Sequence, residues 1–237
     1  MVRVQKYLAE CGLASRRHAE TLIEDARVTI NGRAAKLGDC VDPGKDIVAC
    51  DGELLGKETK VYVLLNKPRG VITSLKDTHG RKTVTDCIEG VRARVFPVGR
   101  LDMDVEGALL LTNDGELAHR LTHPKYEIPK VYLALVQGVV TLEDAAWLAK
   151  GVVIEDSITA PAKVAILHAR LGATLIRLTL HEGRKHEVKR MCEAIGHPVC
   201  DLRRTSVARL SVKDLRPGEW RYLSLHEIAA LRRLTGL

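Results

Sequence analysis

The stretch GRLDMDVEGALLLTNDG, Gly99 to Gly115, places Asp102 in a loop between two apolar runs. Upstream, Val95, Phe96 and Val98 read as the end of a strand. Downstream, Ala108 to Leu111 is a short apolar run closed by Gly107 on one side and Asn113-Asp114-Gly115 on the other, the pattern of a buried strand. A polar loop anchored at both ends by core strands holds a side chain still, which suits catalysis. Taken alone, an aspartate in a glycine-bounded turn is ordinarily a turn former, so this loop by itself does not decide between the two roles.

Working outward toward the N-terminus, Val4, Tyr7, Leu8 and Cys11 recur at helical spacing and Gly12 ends the run. Ser15 then caps a second helix bearing Ala19, Leu22, Ile23 and Ala26. Val28 to Ile30 and Ile47 to Ala49 read as strands, with turns at Asn31-Gly32 and Asp42-Pro43-Gly44. The polar stretch DGELLGKETK, Asp51 to Lys60, reads as a linker, giving a small domain over 1–58 and a larger one over 59–237.

Toward the C-terminus, Thr174 to His181 alternates apolar and polar as a half-buried strand does. Past Glu182-Gly183-Arg184 the period changes, and Val188, Met191, Cys192 and Ile195 share one helical face. SLHE, Ser224 to Glu227, is a capping box opening a last helix with Ile228, Leu231 and Leu234 on one side.

With 237 residues, 46% of them hydrophobic, the chain can bury a real core and disorder is excluded as its general state. Six scattered cysteines lack any C-x-x-C spacing, so neither a zinc site nor a disulfide framework is expected. His119 and His123 have metal-like spacing on an expected helix, but no third ligand accompanies them, and no metal is expected. No glycine-rich phosphate loop is present. There is no signal-like apolar segment and no run of eighteen uncharged apolar residues, so the expectation is a cytoplasmic protein without a membrane partner.

The net charge of +7 favours polyanionic partners. It is unevenly spread: residues 1–58 hold nine Lys and Arg against ten Asp and Glu, and the remainder holds 28 against 20. Within the first 36 residues, seven basic side chains face four acidic ones and Arg16 adjoins Arg17, so the small domain is expected to carry one basic face.

Four further blocks accompany the opening stretch: YVLLNKPRGVITS from Tyr62, HPKYEIPKVYLALVQG from His123, HEGRKHEVKRMCEAIGHPV from His181 and LRPGEWRYL from Leu215. In this order the set resembles the pseudouridine synthases that act on ribosomal RNA, in the branch with a small N-terminal RNA-binding domain of the ribosomal-protein S-four type. Val105 stands where that family usually has Thr, and Ala108 where it has Leu, which puts a local loop hydrogen bond in question but not the carboxylate. The resemblance implies an α+β architecture, with a mixed, mainly antiparallel sheet flanked by helices behind the S-four-type domain.

It also implies the chemistry, the isomerisation of uridine to pseudouridine without a cofactor. Asp102 matches the nucleophile of the family. Lys189 matches the basic partner that keeps this carboxylate ionised when a flipped base covers it. Tyr132 matches the tyrosine that stacks on the target base and moves a proton. Arg100 and Lys130 are candidate phosphate or structural partners, Arg184, Lys185, Arg203 and Arg204 candidate phosphate contacts, and Arg16 and Arg17 the small domain's RNA contacts.

The start of the chain resembles the large-subunit rRNA enzymes more than the small-subunit one. The expected partner is therefore rRNA or a ribosomal-subunit precursor, met by a monomer. The rival reading is a non-catalytic rRNA-binding assembly factor, against which the joint presence of Asp102, Tyr132 and Lys189 argues.

Overall fold

Two consecutive left-handed residues, Asp51 (φ 51°) and Gly52 (φ 86°), show where the small N-terminal unit ends differently from the expectation. An Asp-Gly pair in this conformation is a two-residue hairpin turn. It folds Glu53–Leu54 back onto Val48–Cys50 as a fourth strand, so the first part of the expected linker belongs to a sheet. In the computed structural model, which describes residues 1–155, 157–170 and 172–237, that sheet runs in the order Arg33–Ala34, Val28–Ile30, Val48–Cys50, Glu53–Leu54. Asn31 and Gly32 (φ 52° and 80°) form its other tight turn. Two helices, Val4–Glu10 and Arg16–Glu24, cover it, and Ser15 caps the second by accepting from the His18 amide at 3.2 Å. Val4, Leu8, Ala19, Ile23, Val28 and Val48 form the unit's own core.

The chain divides into two compact units: Met1–Val61 with Arg92–Arg94 and Asn113–Gly115, and the remainder. In the larger unit we label β1 (Tyr62–Lys67), β2 (Glu106–Thr112), α1 (Gly115–Thr122), β3 (Lys130–Gln137), α2 (Leu142–Lys150), β4 (Lys163–Arg170), β5 (Ala173–Leu180), α3 (Glu187–Ala194), β6 (Val199–Val207), β7 (Trp220–Tyr222) and α4 (Leu225–Thr235). Their sheet has the order β4-β5-β3-β6-β2-β1-β7. The short strands Phe96–Pro97 on β2 and Leu210–Ser211 on β6 bring it to nine strands among the described residues.

Every pairing in this sheet is antiparallel except the contact of β6 with β2. That parallel junction joins two antiparallel halves and sets Arg204 opposite Gly107. Gly107 is required there: its φ is +127°, and a Cβ would sit 2.1 Å from the Arg204 carbonyl oxygen. The run Ala108–Leu111 is buried throughout because β2 is an inner strand with both faces covered. Leu64, Leu110, Leu117, Leu121 and Leu231 belong to the core that β1, β2, α1 and α4 share. The capping box of α4 forms as expected, with Ser224 accepting from the Glu227 amide and Glu227 accepting from the Ser224 amide.

Candidate active site

Asp102 sits in the turn that precedes β2, closed by the Val105 amide donating to the Asp102 carbonyl at 3.1 Å. The turn is bracketed from the segment after β1. The Thr73 hydroxyl donates to the Leu101 carbonyl at 2.6 Å and accepts from the Leu101 amide at 3.2 Å, and the Gly70 amide donates to the Met103 carbonyl at 2.8 Å. Val105 is 2% exposed and packs as a hydrophobe, and the turn is held by backbone bonds and by Thr73.

Beneath the same loop lies Lys67, with no exposed surface. Its Nζ donates to the carbonyls of Pro68 (2.9 Å), Val71 (2.7 Å) and Met103 (3.5 Å). Burial brings this ammonium down to about 8, against the pull of Cys87, Asp102 and Asp104 in the opposite direction. A buried cation satisfied by loop carbonyls ties β1 to the Asp102 turn.

A cleft of about 530 Å³ opens over this turn, and Asp102, Tyr132, Lys189 and Arg204 all line it. Tyr132 is delivered by β3 opposite a bulge in β6, where Val131 pairs with Ser206 and Tyr132 with Arg204, leaving Thr205 as the extra residue; such bulges are common beside sites. Its hydroxyl lies 3.5 Å from Nη1 of Arg204. Arg204 is 3% exposed; its Nε donates to the Ala108 carbonyl at 2.8 Å and its Nη1 to the Arg100 carbonyl at 3.5 Å. The guanidinium therefore joins the Asp102 loop, β2 and the tyrosine.

The facing wall is the segment Gly183–Lys189, which runs into α3. The Lys189 Nζ lies 4.0 Å from Oδ2 of Asp102, but its short contacts go to Asp104, at 2.9 and 2.7 Å. Lys189 was expected to serve Asp102; in the structure it is shared and mainly held by Asp104, whose carboxyl it lowers by hydrogen bonding. His186 stands nearer the proposed nucleophile, with Nε2 3.5 Å from Oδ1 of Asp102.

Glu187 anchors this wall. It is 6% exposed, its Oε2 accepts from the Arg184 amide at 3.2 Å, and burial together with the adjacent Glu182 carboxyl pushes it up to about 8.

The candidate RNA contacts divide by exposure. Arg100 and Lys185 are exposed and line the cleft, and Arg16 and Arg17 are exposed at the start of their helix. The others have partners within the protein, which for Lys130 is the structural half of its expected role. Arg184 donates to Glu182, to the Ser157 hydroxyl (2.8 Å) and to the Ile158 carbonyl (2.7 Å). Arg203 lies 3.2 Å from Glu106, and Arg204 is buried. Lys130 lines the cleft but donates to the Ile128 carbonyl, with burial lowering its ammonium.

His119 lies on α1 and His123 just beyond its end; their rings pack 5.4 Å apart, and no metal-binding cluster occurs among the described residues. The residues that sequence reasoning missed are Lys67, Thr73, Asp104, His186 and Glu187. Only Lys67 carried a signal, a lysine closing the apolar run YVLLNK.

Comparison with known proteins agrees with this architecture. The profile of the family described as RNA pseudouridylate synthase matches residues 61–194, and that of the S4 domain matches residues 2–47. The chain belongs to the RNA pseudouridine synthase family, as an enzyme of the branch that carries an N-terminal S4 domain. It is 46% identical over 237 residues to the ribosomal large subunit pseudouridine synthase B of Bacillus subtilis, covering 99% of this chain and 97% of that one. It is 45% identical over 238 residues to an RNA pseudouridine synthase of Aquifex aeolicus, covering 100% and 96%. A crystal structure of a pseudouridylate synthase superposes with a TM-score of 0.71 at 34% identity, covering 98% of this chain and 100% of that one.

Proposed function

We propose that this protein converts a specific uridine of large-subunit ribosomal RNA to pseudouridine, with Asp102 as nucleophile. The observation that carries the proposal is the placement of the Asp102 carboxylate in the cleft, facing His186 and Lys189, with Tyr132 on the same lining. The similarity to the Bacillus subtilis large-subunit enzyme supports the choice of RNA. Residues 1–58 are assigned to RNA docking through Arg16 and Arg17, and residues 59–237 to catalysis. Arg100 and Lys185 are assigned to phosphates at the cleft mouth. The enzyme works on rRNA in the cytoplasm, as a monomer and without a cofactor.

The reaction breaks the bond between ribose C1′ and base N1 and forms one between C1′ and C5. The C5 proton is lost and N1 gains one, so atoms and electrons balance without an oxidant. A carboxylate divides this exchange into two easier steps by forming a transient adduct with the base or the sugar. The target base must leave its stack first, at a cost of about a few kcal/mol, and in the cleft it meets Tyr132 as a stacking surface. The Tyr132 hydroxyl, beside the Arg204 guanidinium, is assigned to proton movement during rejoining.

The test is Asp102→Asn, which keeps the shape and removes the nucleophile. Pseudouridine formation in rRNA falls below about a thousandth of the native rate, while melting temperature and rRNA affinity stay unchanged. Substantial turnover by this variant rejects the assignment.

A further inference from the structure

His186 occupies a position its backbone does not favour. Its φ and ψ are 54° and 30°, the sparsely populated left-handed region, which among non-glycine residues Asn, Asp and His enter most often, and it stands at the N-cap of α3. A cap residue is normally retained for the hydrogen bond its side chain gives the helix, and His186 gives none. Asn would suit both the backbone and the cap better. The helix start therefore does not account for an imidazole here.

The imidazole is directed elsewhere. Its Nε2 is 3.5 Å from Oδ1 of Asp102, closer than Lys189, whose Nζ is 4.0 Å from Oδ2 and is held at 2.7 and 2.9 Å by Asp104. Neighbouring bonds fix the unfavourable backbone. The Glu187 amide donates to the Arg184 carbonyl at 3.3 Å, the Arg184 amide donates to the buried Glu187 carboxyl at 3.2 Å, and the Arg190 amide donates to the His186 carbonyl at 3.0 Å. A sparsely populated conformation locked by its surroundings, with its side chain turned to a reactive group, is characteristic of functional sites.

We propose that His186 is a positioning residue for the reaction: its Nε2 fixes the orientation of the Asp102 carboxylate, a task Lys189 performs only in part because Asp104 shares it. The proposal rests on the reading of Asp102 as nucleophile. Held from Oδ1 on one wall and by its bracketed turn on the other, the carboxylate presents one defined face to the base and does not rotate away as the cleft fills.

The test uses the full chain and three variants, each assayed for single-turnover rate at saturating rRNA, for rRNA affinity and for melting temperature. His186→Asn keeps a left-handed, cap-competent residue but is too short to reach Asp102. Its rate falls at least about tenfold, while the Kd stays within about twofold of native. His186→Gln places an amide nitrogen near the position of Nε2 and recovers most of that loss. A native rate in His186→Asn, or a weakened Kd with an unchanged rate, overturns the proposal. Equal loss in Asn and Gln at unchanged affinity overturns it too, since the nitrogen would then not be the operative group. Asp102→Asn run alongside separates the two readings. If it turns over, the nucleophile assignment fails and the role of His186 with it; if it is dead while His186→Asn is native, only the role of His186 fails.

Discussion

The two walls of the cleft hold their functional groups by different means. The Asp102 wall is fixed by backbone hydrogen bonds, a reciprocal pair with Thr73 and a buried lysine whose three acceptors are carbonyls. The α3 wall is fixed by carboxyl side chains: Asp104 holds Lys189, and the buried Glu187 holds the Arg184 amide. The first arrangement uses no carboxyl group, and its one titrating member is the Lys67 ammonium, which burial brings down to about 8. The second depends on two carboxyl groups in opposite states, Asp104 ionised and lowered by Lys189, Glu187 raised by burial. A turn held by backbone bonds and a lysine thus faces a wall held by carboxyl groups.

The largest effect expected beyond loss of the nucleophile is at Tyr132, which belongs to neither wall but to β3 between them. Tyr132→Phe keeps the stacking surface and removes the hydroxyl beside Arg204. If that hydroxyl moves a proton, the variant binds rRNA normally and turns over at least about a hundredfold more slowly, the scale of general acid–base groups. Near-native turnover in Phe with failure in Ala leaves stacking as the whole role.

A smaller effect is expected at Lys189. Lys189→Met lowers single-turnover rate by about tenfold or more with little change in Kd, since Asp102 loses the ammonium that lies 4.0 Å from its Oδ2. Because Lys189 is mainly held by Asp104, Asp104→Asn loses less than Lys189→Met or gains rate as the cation moves to Asp102. A greater loss in Asp104→Asn would show that Asp104 itself is needed.

The contrast between the walls also explains what the sequence revealed. Strand β2 and the loop before it were legible because glycines and an apolar run mark them locally. The requirement at Gly107, by contrast, arises from a close approach to Arg204, 97 residues later, that no local pattern encodes. The blocks carrying Asp102, Tyr132 and Lys189 were legible through family resemblance, and the cleft lining includes all three. Partnerships were not legible. Which carboxylate takes Lys189, that Arg203 is spent on Glu106, and that Arg184 reaches Ser157 and Ile158, depends on groups brought together from distant segments. The hairpin at Asp51-Gly52 is a different failure: the turn signal was present, but the polarity of the surrounding residues read as a linker.

The last effect, read in stability and not in rate, and the most direct probe of the α3 wall, is the pH dependence of Glu187. Its carboxyl titrates at about 8 in the folded protein against an ordinary 4.5, because burial and Glu182 oppose its charge. Below 4.5 both folded and unfolded chains keep the proton, and this group costs nothing. As pH rises, the unfolded chain releases the proton while the folded one retains it, so stability declines through the interval up to about 8 and is then level. Glu187→Gln retains the shape and the neutral state and removes the titration. It is expected to melt close to the native protein at the acid end of that interval, and above it by on the order of ten degrees at the alkaline end. A constant difference between the two chains across the interval would mean that Glu187 titrates as an ordinary carboxylate, and the contrast between a backbone-held and a carboxyl-held wall would lose its titratable anchor.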